Sequence, residues 1–331
     1  MKAVIERPNR ASIARAAASL RAGELIAFPT ETVYGLGADA SREVAVRKIF
    51  AVKGRPSDHP VIVHLYDRRD LAEWTRAVPD GAQRLAASFW PGPLTLILPR
   101  AARVGDAVTG GQDSVGIRVP SHPVARALLA EFGGGIAAPS ANRFGRISPT
   151  SARHVADDLG DAVSIILDGG PCAVGIESTI VGFVGDDPLL LRPGAVSVAD
   201  LERVLGRPLR ATKSGVPRAP GTLAAHYAPK TPATLVPPGA LHTELEQLAE
   251  RDEVIAVLAR TVARPPEFSD TWIEAPSDAA AYAHDLYANL RALDNANADA
   301  ILVEAVPAGD EWLAIRDRLE RATRGEDDDR D

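Results

Sequence analysis

Cysteine is almost missing: in 331 residues only Cys172 occurs. That excludes a disulfide framework and a cysteine-based zinc site. Long apolar runs are missing too. None approaches the ~20 residues that a bilayer-spanning helix needs, and the opening MKAVIERPNR lacks the apolar middle of a secretory signal. The seven histidines show no H-x-x-x-H or similar metal-ligand spacing. Neither a P-loop (G-x-x-x-x-G-K-S/T) nor a G-x-S-x-G nucleophile elbow is present. No basic run, and no basic patch interleaved with aromatics, marks a nucleic-acid surface. The expectation is a soluble cytoplasmic protein with no membrane partner, no protein-held metal and no covalent catalysis. What remains is chemistry by positioning and electrostatics.

Apolar residues make up 46% of the chain, enough for a full core, and the length suits two domains. The net charge of −7 is unevenly spread. Residues 1–230 carry 28 basic against 22 acidic side chains, and residues 231–331 carry 9 against 22. A mildly basic first part suits small anionic ligands, and an acidic last part repels nucleic acid. The terminal GEDDDRD, with residues 326–331 as its core, predicts a solvated tail.

Short β-rich runs at 25–28, 61–65, 94–98, 115–119, 136–140, 164–168, 178–183 and 189–192 read as strands. Helical patterns run near 10–22, 41–52, 81–89, 123–132, 151–159 and 198–205, with Ser41 and Ser151 as expected N-caps. The mixture predicts an α/β domain with a twisted, mixed sheet over 1–210. Residues 211–232 are rich in Pro, Gly, Ser and Thr and predict an ordered linker. Strands then alternate with helices over 233–325, the rhythm of a small doubly wound domain.

The stretch FPTETVYGLGADA (28–40) carries two hydroxyls, a carboxylate and a phenol just past a buried strand. Its GLGADA fits the glycine fingerprint of dinucleotide-binding folds. Six residues, 29–34, separate it from the strand, however, where that fingerprint needs a tight turn at the strand's end. The two glycines are expected to lead into a helical pattern. In KGRPSDHP (53–60), two prolines stiffen a loop bearing Lys53 and Arg55. A solvated pair at a helix C-terminus is the plain alternative to a polyphosphate grip. Ser140 and Asn142 stand just past a strand's end, where open α/β sheets bind ligands. Arg118 lies inside the apolar strand VGIRVP. It requires an anion, either a ligand or an internal partner such as Glu31 or Glu177. Cys172 reads as a buried structural thiol.

Taken together, Lys53-Gly-Arg55 followed far downstream by Ser140-Ala-Asn142, with FPTETVYGLGADA, WPGPLTLIL, GIRVP, SPTSA, GIEST and LRPG in order, resembles the threonylcarbamoyl-AMP synthase family. The resemblance is dense over 20–200. APGTLAAHYAP and the appended domain look like the long, two-domain form. It implies a YrdC-like α/β domain followed by a small Rossmann-like α/β domain. The implied reaction joins L-threonine, bicarbonate and ATP, with Mg2+, into threonylcarbamoyl-AMP and pyrophosphate. That product serves threonylcarbamoyladenosine modification of tRNA through a downstream transferase complex. It also implies roles. Lys53 and Arg55 would be catalytic. Thr32, His64, Arg118, Ala138 and Ser178 would bind threonine. ATP would lie against Lys53, Arg55, His59, Ser114, Ser140, Asn142, Ser148 and Arg192, with Tyr227 closing over it from the linker. Direct tRNA binding is not expected. The alternative is a YrdC-like RNA-binding protein without synthase activity.

Overall fold

The computed structural model describes residues 4–210, 218–221 and 226–324. The expected linker therefore lies partly outside the described residues, and the expected tail wholly so. Two compact units emerge. Among the described residues the first holds 4–144, 148–210 and 218–221, and the second holds 145–147 and 226–324. No described helix is long and apolar enough to cross a membrane.

The strands of the first unit are β1 (Val4–Glu6), β2 (Ile26–Phe28), β3 (Gly35–Asp39), β4 (Ile62–His64), β5 (Leu94–Pro99), β6 (Ser114–Arg118), β7 (Ile136–Ala137), β8 (Ile165–Leu167), β9 (Thr179–Val184) and β10 (Asp187–Arg192). They form one mixed sheet in the order β1-β8-β2-β3-β7-β4-β6-β5-β9-β10. Its helices are α1 (Arg10–Arg21), α2 (Glu43–Lys53), the one-turn α3 (Leu71–Trp74), α4 (Asp80–Phe89), the one-turn α5 (Asp106–Thr109), α6 (Pro123–Phe132), α7 (Ala152–Leu159) and α8 (Val198–Leu205). Both faces of the central strands are covered. On β2, Ala27 joins one apolar cluster while Ile26 and Phe28 join another. That is why β2 reads as an unbroken apolar run rather than an alternating one.

Two expectations fail locally. GLGADA is not a turn into a helix. It is strand β3, antiparallel to β2, with Gly37 opposite Ile26. A Cβ on Gly37 would stand 2.9 Å from the Phe28 ring and 3.1 Å from Ile136, so this glycine admits large neighbours. The N-cap of α2 is Arg42, without a side-chain hydrogen bond, and the Ser41 hydroxyl instead donates to Asp39 at 2.6 Å. Ser151 does cap its helix, accepting from the His154 amide. Strand β1 was not foreseen, because three residues at a sheet edge leave no periodic signal.

The second unit has β11 (Ala233–Val236), α9 (Leu241–Ala249), β12 (Ile255–Ala259), β13 (Thr271–Glu274), α10 (Ala279–Asp294), β14 (Ala300–Glu304) and α11 (Leu313–Ala322). Its sheet, ordered β11-β14-β12-β13, is wholly parallel. The tripeptide 145–147 is held there by hydrogen bonds from both main-chain and side-chain donors. Ala228 N–H donates to Gly145 O at 2.8 Å, Arg146 reaches Pro229 O at 3.1 Å, and Arg291 donates to Ile147 O.

Candidate active site

The polar stretch after β2 folds on itself before it reaches anything else. Thr30 Oγ1 accepts from the amides of Thr32 and Val33 at 3.2 Å each and donates to Val33 O at 2.6 Å, so Thr30 makes a turn. Tyr34 is also structural. Its hydroxyl donates to Gly170 O at 2.8 Å and accepts from Gly169 N–H at 3.2 Å. Burial, then the nearby Cys172 and Asp168, push its pKa up. The turn leaves Glu31 and Thr32 facing Arg118.

Arg118 ends β6 in parallel register with His64 at the end of β4. The arginine is 4% exposed and the histidine 3%. Arg118 Nη2 stands 2.7 Å from Glu31 Oε1, and Nη1 donates to Thr32 Oγ1 at 2.8 Å. Of the two partners considered for Arg118, the structure selects Glu31. Glu177 instead accepts from the Ser148 hydroxyl at 2.6 Å. Burial works to raise the pKa of Glu31, but Arg118 and the amides of Glu31 and Ser121 hold it below the usual carboxylate range. Burial first, then the charge of Arg118, pulls His64 down to about 3, so its imidazole is neutral at physiological pH. Cys172, near Glu31 and Arg118, is buried and its thiol is pushed up, mainly by that burial. Ala138 is buried, its amide donating to Ile62 O at 2.9 Å.

A second cluster forms where α2 ends. Gly54 at the helix's C-cap adopts a left-handed φ of 67° and turns the chain away. Lys53, 3% exposed, turns inward. Its Nζ donates to Ser140 O at 2.6 Å and Asn142 O at 2.5 Å. Lys53 O accepts from Phe144 N–H, and Val52 O from the Arg143 guanidinium, both at 2.9 Å. The two halves of the K-x-R and S-x-N pattern are therefore bonded to each other. Burial, then Arg55, holds the Lys53 ammonium well below its ordinary pKa. Arg55 Nη2 donates to Pro60 O at 2.8 Å, and its guanidinium lies 5.9 Å from the Phe144 ring. His59 meets the same ring edge-on at 5.6 Å. Ser114 opens β6 opposite Pro99.

Ser178 and Arg192 form a third group. Ser178 Oγ bonds Thr95 Oγ1 at 2.8 Å, and Arg192 donates to Ser178 O at 2.9 Å and to Pro220 O at 2.9 Å. Gly194 makes this junction possible, since a Cβ there would stand 2.4 Å from Thr179 N and 2.6 Å from Glu177 O. The structure thus joins Thr32, His64 and Arg118; Lys53, Arg55, His59, Ser140 and Asn142; and Ser178 with Arg192. Ser148 bonds Glu177. Tyr227 belongs to the second unit. It is 1% exposed with φ 65°, 5.6 Å from the Tyr287 ring and 5.2 Å from the Arg318 guanidinium. Thr95 and Phe144 were not anticipated as site neighbours, and Glu177 was considered only as a partner of Arg118. Their signal is spatial, since each is reached only through strand order or a loop's return. Among the described residues, no group of three His, Cys, Asp or Glu side chains is placed to hold a metal ion.

Two family models match the chain: "Telomere recombination" over residues 18–194 and "Threonylcarbamoyl-AMP synthase, C-terminal domain" over 196–323. A threonylcarbamoyl-AMP synthase of Bacillus subtilis is 41% identical over 328 residues, covering 96% of this chain and 94% of the relative. One from Pyrococcus abyssi is 38% identical, covering 97% and 96%. The crystal structure of P. abyssi Sua5 complexed with L-threonine superposes with a TM-score of 0.89 at 37% identity, covering 97% of each chain.

Proposed function

The chain belongs to the threonylcarbamoyl-AMP synthase family, and we propose that it makes L-threonylcarbamoyladenylate and pyrophosphate from L-threonine, bicarbonate and ATP. The observation that carries this reading is the buried Arg118, held beside Thr32 and a neutral His64, in a chain that matches a threonine-bound relative over nearly its whole length. Arg118 receives the carboxylate of threonine. His64, unable to carry charge near neutrality, offers an acceptor, and Thr32, Ser178 and the backbone at Ala138 complete the pocket.

ATP lies against Arg55, His59, Ser114, Ser140, Asn142, Ser148 and Arg192. Lys53 acts through the loop it holds: two of its three N–H donors already serve Ser140 O and Asn142 O. The threonine ammonium loses a proton, and the amine then attacks carbon dioxide with release of a second proton, or bicarbonate with loss of water, to give the carbamate. A carbamate oxygen then attacks the α-phosphorus, and pyrophosphate leaves. No side chain needs to form a covalent bond, so the protein's contribution is orientation and charge. Among the described residues no group of three His, Cys, Asp or Glu side chains is placed to hold a metal ion, and Mg2+ would travel on the ATP phosphates. The product would pass to a transferase that modifies tRNA.

Pyrophosphate release from ATP and bicarbonate, with and without L-threonine, tests the reading. Release should depend strongly on threonine. Equal release in both arms, from folded protein supplied with Mg2+, overturns it.

A further inference from the structure

Three buried polar atoms on the amino-acid side of the site lack a hydrogen-bond partner among the described residues: Glu31 Oε1, Arg118 Nη2 and His64 Nδ1. The first two face each other at 2.7 Å as an ion pair. The other carboxylate oxygen, Glu31 Oε2, is tied down by the Ser121 amide at 3.1 Å. The carboxylate is thus anchored through one oxygen and presents the other. Polar atoms are seldom buried without a hydrogen bond, and here an ion pair and a ring nitrogen lie together where a polar ligand can complete them.

We propose that Glu31 Oε1 receives the ammonium group of the amino-acid substrate while Arg118 receives its carboxylate. This rests on the reading that the cluster binds threonine. An α-amino acid carries its two charges on one carbon, and the Arg118–Glu31 pair offers the complementary charges side by side. The titratable groups facing Glu31 are Arg118, His64, His122 and Cys172. Of these only Arg118 is charged at neutral pH, so the empty pair is electrically balanced. A zwitterion keeps that balance. A plain carboxylate brings one uncompensated negative charge beside Glu31 and pays twice, in repulsion and in an acceptor left unmatched. Glu31 therefore selects ligands that carry an ammonium on that carbon, the nitrogen that becomes the reaction's nucleophile once it gives up a proton.

Calorimetric titration of the full chain with L-threonine and with 3-hydroxybutanoate, the same molecule with hydrogen in place of the ammonium, tests this. Wild-type protein should prefer threonine by about 10- to 100-fold, the range of a charge-assisted hydrogen bond. In Glu31→Gln, which keeps the side chain's size, threonine should weaken by about that factor, 3-hydroxybutanoate should hold or tighten, and the preference should collapse. If Glu31 merely holds Arg118 in place, both ligands weaken together and the preference survives, which overturns the proposal. A wild type that binds both ligands alike overturns it without any variant. A wild type that binds neither overturns the threonine reading itself.

Discussion

At the scale of single residues, burial decides chemistry more than identity does. His64 is an ordinary histidine by sequence, yet its burial beside Arg118 keeps it neutral to about pH 3. The unfolded chain binds that proton near pH 6.5 and the folded chain only near 3. The contribution to stability is therefore whole above about 6.5 and is lost as pH falls through that value toward 3. Between pH 7 and 5 the loss from this one group is roughly 2 kcal/mol. Urea midpoints at the two pH values should separate more for wild type than for His64→Gln, and equal separation would mean the ring is charged after all. The need of Arg118 for an anion was legible, because a guanidinium inside an apolar strand is not left unpaired. Which of two glutamates met it was not. That choice depends on the turn made by Thr30, which brings Glu31 to the end of β6.

At the scale of elements, α2 and the loop after β7 behave as one piece. Lys53 spends its donors on the loop's carbonyls, while the end of the helix accepts from Arg143 and Phe144. Lys53→Met keeps the stem and removes the donors. It should raise KM for ATP about tenfold and cost about 1–3 kcal/mol of stability. Steady-state pyrophosphate release at varied ATP, with a thermal melt alongside, checks both. A variant whose kcat falls while its KM and melting point stay put would return Lys53 to direct contact with the reacting groups. The motif's residues bond one another in the fold, but that Lys53 points back into it was not legible, since spacing cannot say which way a lysine points. GLGADA misled for a related reason. Its glycines accommodate Phe28 and Ile136 across strand β3, a constraint set by neighbours remote in the chain.

At the scale of the whole molecule, charge and topology carry separate lessons. The last 101 residues hold 9 basic and 22 acidic side chains, so the chain should bind tRNA weakly. Fluorescence anisotropy with labelled tRNA at ~0.15 M salt should show no submicromolar binding, and tight binding that falls steeply with salt would contradict this. The two-domain α/β plan was legible from the alternation of strands and helices. The membership of 145–147 in the second unit was not, because it depends on hydrogen bonds to residues some eighty and more positions away. The sheet order has a kinetic consequence. Glu31 and Thr32 follow β2, His64 ends β4, Arg118 ends β6 and Ser178 precedes β9, and only long-range pairings bring these strands into one sheet. Such high contact order makes assembly slow, and no fragment ending before Ser178 contains all the walls. Ligand affinity in a refolding experiment would therefore appear late, after most secondary structure, and serve as a clock for completion of the first unit.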